Sequence, residues 1–129
     1  SHNENYLKSE VIERSSEILK FSKNAQVVAI DEAQFFGKEI IEVCNKLAND
    51  GKRVIVAGLD MDYKGRPFGP MPNLMAIAEY VTKLHAICTK TGKMANYTSR
   101  KVDDKNLIMV GDKDKYEALS REAFYNEKN

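Results

Sequence analysis

The stretch QVVAIDEAQFFGKEIIEVCNKLANDGKRVIVAG, residues 26–58, decides the fold. Gln26 to Ile30 is a short, β-branched apolar run, the pattern of a strand buried on both faces. From Gly37 to Ala48, apolar residues fall at 40, 41, 43, 44, 47 and 48, one face of an amphipathic helix. Cys44 lies on that face and reads as a buried thiol. Asn49-Asp50-Gly51 stops the helix, and glycine suits its C-terminal cap. Arg53 to Gly58 is a second buried strand. Strand, helix and strand within about 33 residues predict a right-handed βαβ unit with a parallel sheet.

Outward from this unit the chain changes texture twice. Upstream, Ser15 and Ser16 precede EILKF and predict a short, capped helix. Downstream, the Gly/Pro-rich loop MDYKGRPFGPMP, residues 61–72, leads to a helix near Asn73 to Tyr80. After Val81, LHAIC, MANYTSR and NLIMVG predict short strands joined by polar turns. The reading is an α/β domain over residues 1–82 and a small β-rich module over 83–129. The 129 residues are 43% hydrophobic and 30% charged, ordinary for a globular protein. A net charge of +1 gives no reason to expect a nucleic-acid or anionic-membrane partner. No apolar run approaches the roughly 20 residues that span a bilayer, and SHNENYLKSE lacks the apolar centre of a signal peptide. Two cysteines do not make a disulfide scaffold. A cytoplasmic protein is expected.

The chemistry of the central stretch lies in Asp31 and Glu32. A strand that ends in Asp, with Glu next, is the Walker B arrangement. The Asp stands at the carboxyl end of a parallel strand, where such sheets bind ligands. There it can hold Mg²⁺, commonly through water. The Glu can act as a base. An acid pair at the N-terminus of the following helix has a second reading, since the helix dipole favours negative charge there.

The wider pattern adds to this. IDEAQFF, VIVAGLDMDYKGRPFGPMP, VTKLHAIC, ANYTSR and VGDKDKY occur in that order between Val27 and Tyr116, and together they resemble the type II thymidine kinase family. The resemblance implies a partial P-loop-kinase-like α/β fold: a parallel sheet with flanking helices, plus a lasso module like a zinc ribbon. It implies ATP-dependent phosphorylation of deoxythymidine to dTMP, with ATP and Mg²⁺ as cofactors and a homotetramer as the assembly. Asp31 matches the residue linked to Mg²⁺ and ATP. Glu32 matches the base that takes the proton of the deoxythymidine 5′-hydroxyl. Phe35 matches an aromatic against thymine, although it also reads as a core anchor for the next helix. Leu59, Tyr63, Thr98, Met109 and Tyr116 match positions around the nucleoside. Asp60 and Asp62 read as polar loop residues rather than metal ligands. For Lys64 and Arg66, phosphate contact and a solvated loop both stand.

Two departures limit the resemblance. No G-x-x-x-x-G-K-[ST] phosphate loop occurs, and SHN at residues 1–3 is similar to a segment well inside the family's chain. The sequence thus resembles the larger, C-terminal part of the kinase, which by itself is expected to be inactive. The second departure concerns zinc. Where the family carries two C-x-x-C pairs for a structural Zn²⁺, this sequence reads Cys88-Thr89-Lys90-Thr91 and Ser120-Arg121-Glu122-Ala123. Cys88 is the remnant of that site, which is expected to be lost, and the chain from Cys88 onward should be the more mobile part. The alternatives to a kinase are a non-catalytic nucleoside-binding remnant lacking ATP and zinc sites, or a piece of another Walker B ATPase such as a helicase.

Overall fold

The computed structural model describes residues 9–101 and 116–128. Met109 and the expected strand NLIMVG lie outside the described residues, as does most of VGDKDKY.

The βαβ unit forms as its periodicities dictate. Strand β1 (Val27–Ile30) and strand β2 (Arg53–Val56) pair in parallel, with Val28 opposite Val54 and Ile30 opposite Val56. Between them runs helix α2 (Glu39–Asn49), whose apolar stripe buries Ile40, Val43, Cys44 and Leu47. Gly51 follows in the left-handed region, φ +87°, and its N–H reaches the Ala48 carbonyl. This is the glycine stop expected of that sequence. Lys52 Nζ donates to the carbonyls of Ser22 (2.9 Å) and Ala25 (2.6 Å), tying this turn to the approach to β1.

The strands are not buried on both faces. Val28 and Ile30 point into the core and Val27 is 55% exposed, as Ile55 is at 49% on β2. Side chains alternate along a strand, so helices on one side cover only every second residue. The covered face meets Ile18 of helix α1 (Ser16–Phe21), the α2 stripe, and Met71 and Leu74 of helix α3 (Met71–Ile77). Helix α3 starts two residues before its expected position, with Pro72 in its first turn, where a missing N–H costs nothing. Ser15 does not cap α1 with its side chain. Instead Glu17 reaches back and its carboxylate accepts from the N–H groups of Arg14 (2.8 Å) and Glu13 (3.2 Å).

The second half has its own small core. Strand β3 (Ala86–Ile87) pairs antiparallel with β4 (Met94–Ala95), and β5 (Tyr97–Arg100) with β6 (Tyr116–Leu119). His85 lies just ahead of β3 and its ring Nδ1 bonds the Asn96 side chain. Helix α4 (Arg121–Lys128), which the sequence reading did not foresee, packs Phe124 onto Tyr97 with ring centroids 4.7 Å apart. Leu119, Phe124, Cys88 and Tyr97 fill the interior. The loop between β2 and α3 touches this core. A Cβ on Gly65 would sit 3.2 Å from the Phe124 ring, and Met61 packs on the same cluster.

Candidate functional site

The acid pair stands where the two parallel strands end. The backbone continues their pairing for two more bonds: Ala57 N–H to the Ile30 carbonyl (2.9 Å), and Ala33 N–H to the Ala57 carbonyl (3.0 Å). Asp31 and Glu32 are therefore set at the carboxyl end of the sheet, and both are exposed. Asp31 Oδ1 accepts from the Glu32 N–H at 2.8 Å. Among the described residues Glu32 is the one non-glycine with positive φ, at φ 53°, ψ 42°. That backbone costs of order 1–3 kcal/mol and persists only where its surroundings fix it.

Gln34 does the fixing. It is 3% exposed. Its Nε2 donates to Glu32 Oε2 at 2.6 Å, and its Oε1 accepts from the Leu59 N–H at 3.0 Å. One amide thus joins the end of β1 to the end of β2 and aims the Glu32 carboxylate. Two glycines make room for it. A Cβ on Gly58 would lie 2.9 Å from Gln34 Oε1, and a Cβ on Gly69, φ +51°, only 2.5 Å from the Gln34 carbonyl oxygen. Sequence reading assigned Gln34 no role. The available signal was an amide directly after an acid pair, within an otherwise apolar segment.

Phe35 is 51% exposed and meets Phe68 edge-on, centroids 5.6 Å apart. It is not the anchor of α2; Phe36 packs on the core instead. Leu59, whose N–H bonds Gln34, is also exposed. A groove of about 1150 Å³ runs from residues 9–22 along β1 to Asp31, Glu32 and Phe35. It exceeds the roughly 300–1,000 Å³ of small-molecule pockets.

Tyr63, Thr98 and Tyr116 form a separate group. Thr98 and Arg100 alternate with buried Tyr97 and Ser99 on β5, so they share the other face. Arg100 lies opposite Tyr116 in register. Its guanidinium stacks over the Tyr63 ring at 3.7 Å and donates to the Tyr116 hydroxyl at 3.5 Å. Arg100 thereby ties the GLDMDYKG loop to the β-rich module, a role the sequence reading missed. Asp62 organises that loop: its Oδ1 accepts from the N–H groups of Lys64 (2.8 Å) and Arg66 (3.1 Å). Asp60 pairs with Lys83 at 2.9 Å. Both acids thus have partners within the chain.

Cys44 and Cys88 are both buried, with different surroundings. Burial pushes the Cys44 thiol up. Burial also acts to raise Cys88, but hydrogen bonds from Thr91, Ser120 and Lys90 outweigh it and hold the thiol at about 6.

The thymidine kinase family model matches residues 1–124 of this chain. The chain belongs to the thymidine kinase family. It is 52% identical over 124 residues to the thymidine kinase of Rhodothermus sp., covering 96% of this chain and 58% of that protein. A Bacteroides fragilis thymidine kinase is also 52% identical over 124 residues, with 62% of its length covered. One from Porphyromonas gingivalis is 45% identical, with 61% covered. The chain spans about 58–62% of the length of these curated relatives. Among the described residues no helix is long and apolar enough to cross a membrane.

Proposed function

We propose that this chain is the larger part of a deoxythymidine kinase and carries its base and its nucleoside walls. The observation that carries the reading is Glu32, held by Gln34 in left-handed backbone beside Asp31 at the end of two parallel strands. In the reaction, the deoxythymidine 5′-oxygen bonds to the γ-phosphorus of ATP, the bond to the bridging oxygen of ADP breaks, and Glu32 takes the hydroxyl proton. Such transfers rest on positioning and charge stabilisation. Bound Mg²⁺ would neutralise phosphate charge. Asp31 suits it, because Mg²⁺ commonly takes one or two carboxylates with phosphate oxygens and water.

Phe35, Leu59, Tyr63, Thr98 and Tyr116 are proposed to line the nucleoside, together with Met109, which lies outside the described residues. A flat, uncharged base needs apolar walls and a few fixed donors and acceptors. The division into a P-loop-kinase-like domain (1–82) and a lasso module (83–129) draws support from the two separate hydrophobic clusters. A cytoplasmic homotetramer completes the proposal. The reading needs a phosphate-gripping segment beyond these 129 residues.

The full-length protein, given deoxythymidine and MgATP, should yield dTMP and ADP in equal amounts by chromatography. Deoxythymidine binding without product would point to the nucleoside-binding remnant. Absence of binding, with salt-sensitive affinity for nucleic acid instead, would point to another ATPase.

A further inference from the structure

Two residue pairs with the i, i+3 spacing of a metal knuckle meet in the β-rich half: Cys88 with Thr91, and Ser120 with Ala123. Together they offer one thiol, two hydroxyls and a methyl group. A structural zinc ion takes four donors from Cys, His or carboxylate, so these residues do not fit it. Among the described residues, nearby candidates are engaged elsewhere. His85 bonds Asn96, Glu117 accepts from Thr89 Oγ1 at 2.9 Å, and Glu122 pairs with Lys93 at 3.7 Å.

The four positions nevertheless stay together. The Thr91 N–H points at Cys88 Sγ (3.4 Å). Thr91 Oγ1 donates to Ser120 Oγ (3.3 Å), and Ser120 Oγ accepts from the Ala123 N–H (3.3 Å). The Cys88 N–H bonds the Lys93 carbonyl at 2.7 Å and the Gly92 N–H returns to the Cys88 carbonyl at 3.0 Å, closing the first turn. Cys88 is 2% exposed, and Ser120 and Ala123 are also buried. Leu119 and Phe124, next to the second pair, are the most buried side chains of this half.

We infer that Cys88, Thr91, Ser120 and Ala123 form a metal-free knot, in which hydrogen bonds and packing hold the two turns at the approach of a four-ligand site. The β-rich half therefore folds without zinc. This rests on the chain's own residues and does not depend on which nucleoside is phosphorylated.

The test is metal content and stability, neither of which reads activity. The full-length protein, expressed with added zinc, should carry far less than one equivalent by elemental analysis, and a chelator should not move its Tm. The variant Thr91→Cys/Ser120→Cys/Ala123→Cys should take up one Co²⁺, with thiolate charge-transfer bands, and gain a Tm increase that the chelator removes. Thr91→Cys/Ser120→Cys, which keeps Ala123 in its packed position, should bind Co²⁺ more weakly with similar bands. One zinc per chain in the unaltered protein, lost together with folding of residues 86–127, would overturn the inference. Folded variants that leave Co²⁺ unbound would overturn it too.

Discussion

Around α2, Ile40, Val43, Cys44 and Leu47 bury aliphatic surface against Ile18, Val28, Ile30, Met71 and Leu74. Around α4, Leu119 and Phe124 close on Tyr97, Cys88 and a chain of side-chain hydrogen bonds. The first core is large enough to hold a two-stranded sheet whose other face, with Val27 and Ile55, is half exposed. The second has little aliphatic area and relies on stacked rings and directed bonds. Non-directional burial scales with area, whereas a small core needs specific contacts to fix one geometry. The contrast also divides the candidate site. Its acids rest on the aliphatic half, and Tyr63, Thr98 and Tyr116 gather around Arg100 on the other.

If the halves are separate in energy as well as composition, one truncation should uncouple them. Phe124→Ala should cost about 3–5 kcal/mol and abolish hydrogen-exchange protection in residues 86–100 while β1 and β2 keep theirs. Leu47→Ala, at about 2–5 kcal/mol, should do the reverse. Simultaneous loss in both halves with either variant would make them one cooperative unit. At the junction of strand ends, Gly69→Ala should cost about 1–3 kcal/mol, because its positive φ and the Gln34 carbonyl leave no room for a methyl. Urea unfolding measures it, and an unchanged midpoint would show that the loop yields freely. Gln34→Leu leaves the Leu59 N–H without its acceptor and frees the Glu32 carboxylate. We expect about tenfold lower kcat, some 1.4 kcal/mol, with deoxythymidine affinity little altered. Equal kcat would deny Gln34 its positioning role. Smallest is Thr91→Val, which removes the bond to Ser120 and should lower stability by about 0.5–1.5 kcal/mol. No loss in thermal unfolding would remove that bond from the knot.

The sequence made the βαβ unit readable because two strong periodicities, 2.0 and 3.6, alternate between clear breakers. It could not say how many faces of a strand are covered. VVAI is apolar throughout, yet only Val28 and Ile30 are buried. Apolarity permits burial, and neighbouring elements decide it. The acid pair of the candidate site was legible as residue types at the end of β1. Its mechanics were not, since left-handed Glu32 follows from tertiary bonds through Gln34 and not from any glutamate preference. Helix α4 escaped notice because eight residues with two apolar neighbours, Ala123 and Phe124, give a weak stripe. Thr91 and Ser120 stand where the resemblance implies zinc thiolates, but only the fold revealed that their hydroxyls bond each other.

The most direct measurement is a pair of constants on Glu32→Gln in the full-length protein: turnover with deoxythymidine and MgATP, and deoxythymidine Kd by calorimetry. Loss of a general base should lower kcat by about 10²–10⁴, and Kd should stay within about twofold, because the amide keeps the shape and the contact to Gln34. A variant that retains near-normal turnover would contradict the assignment of Glu32 as the base at the end of β1.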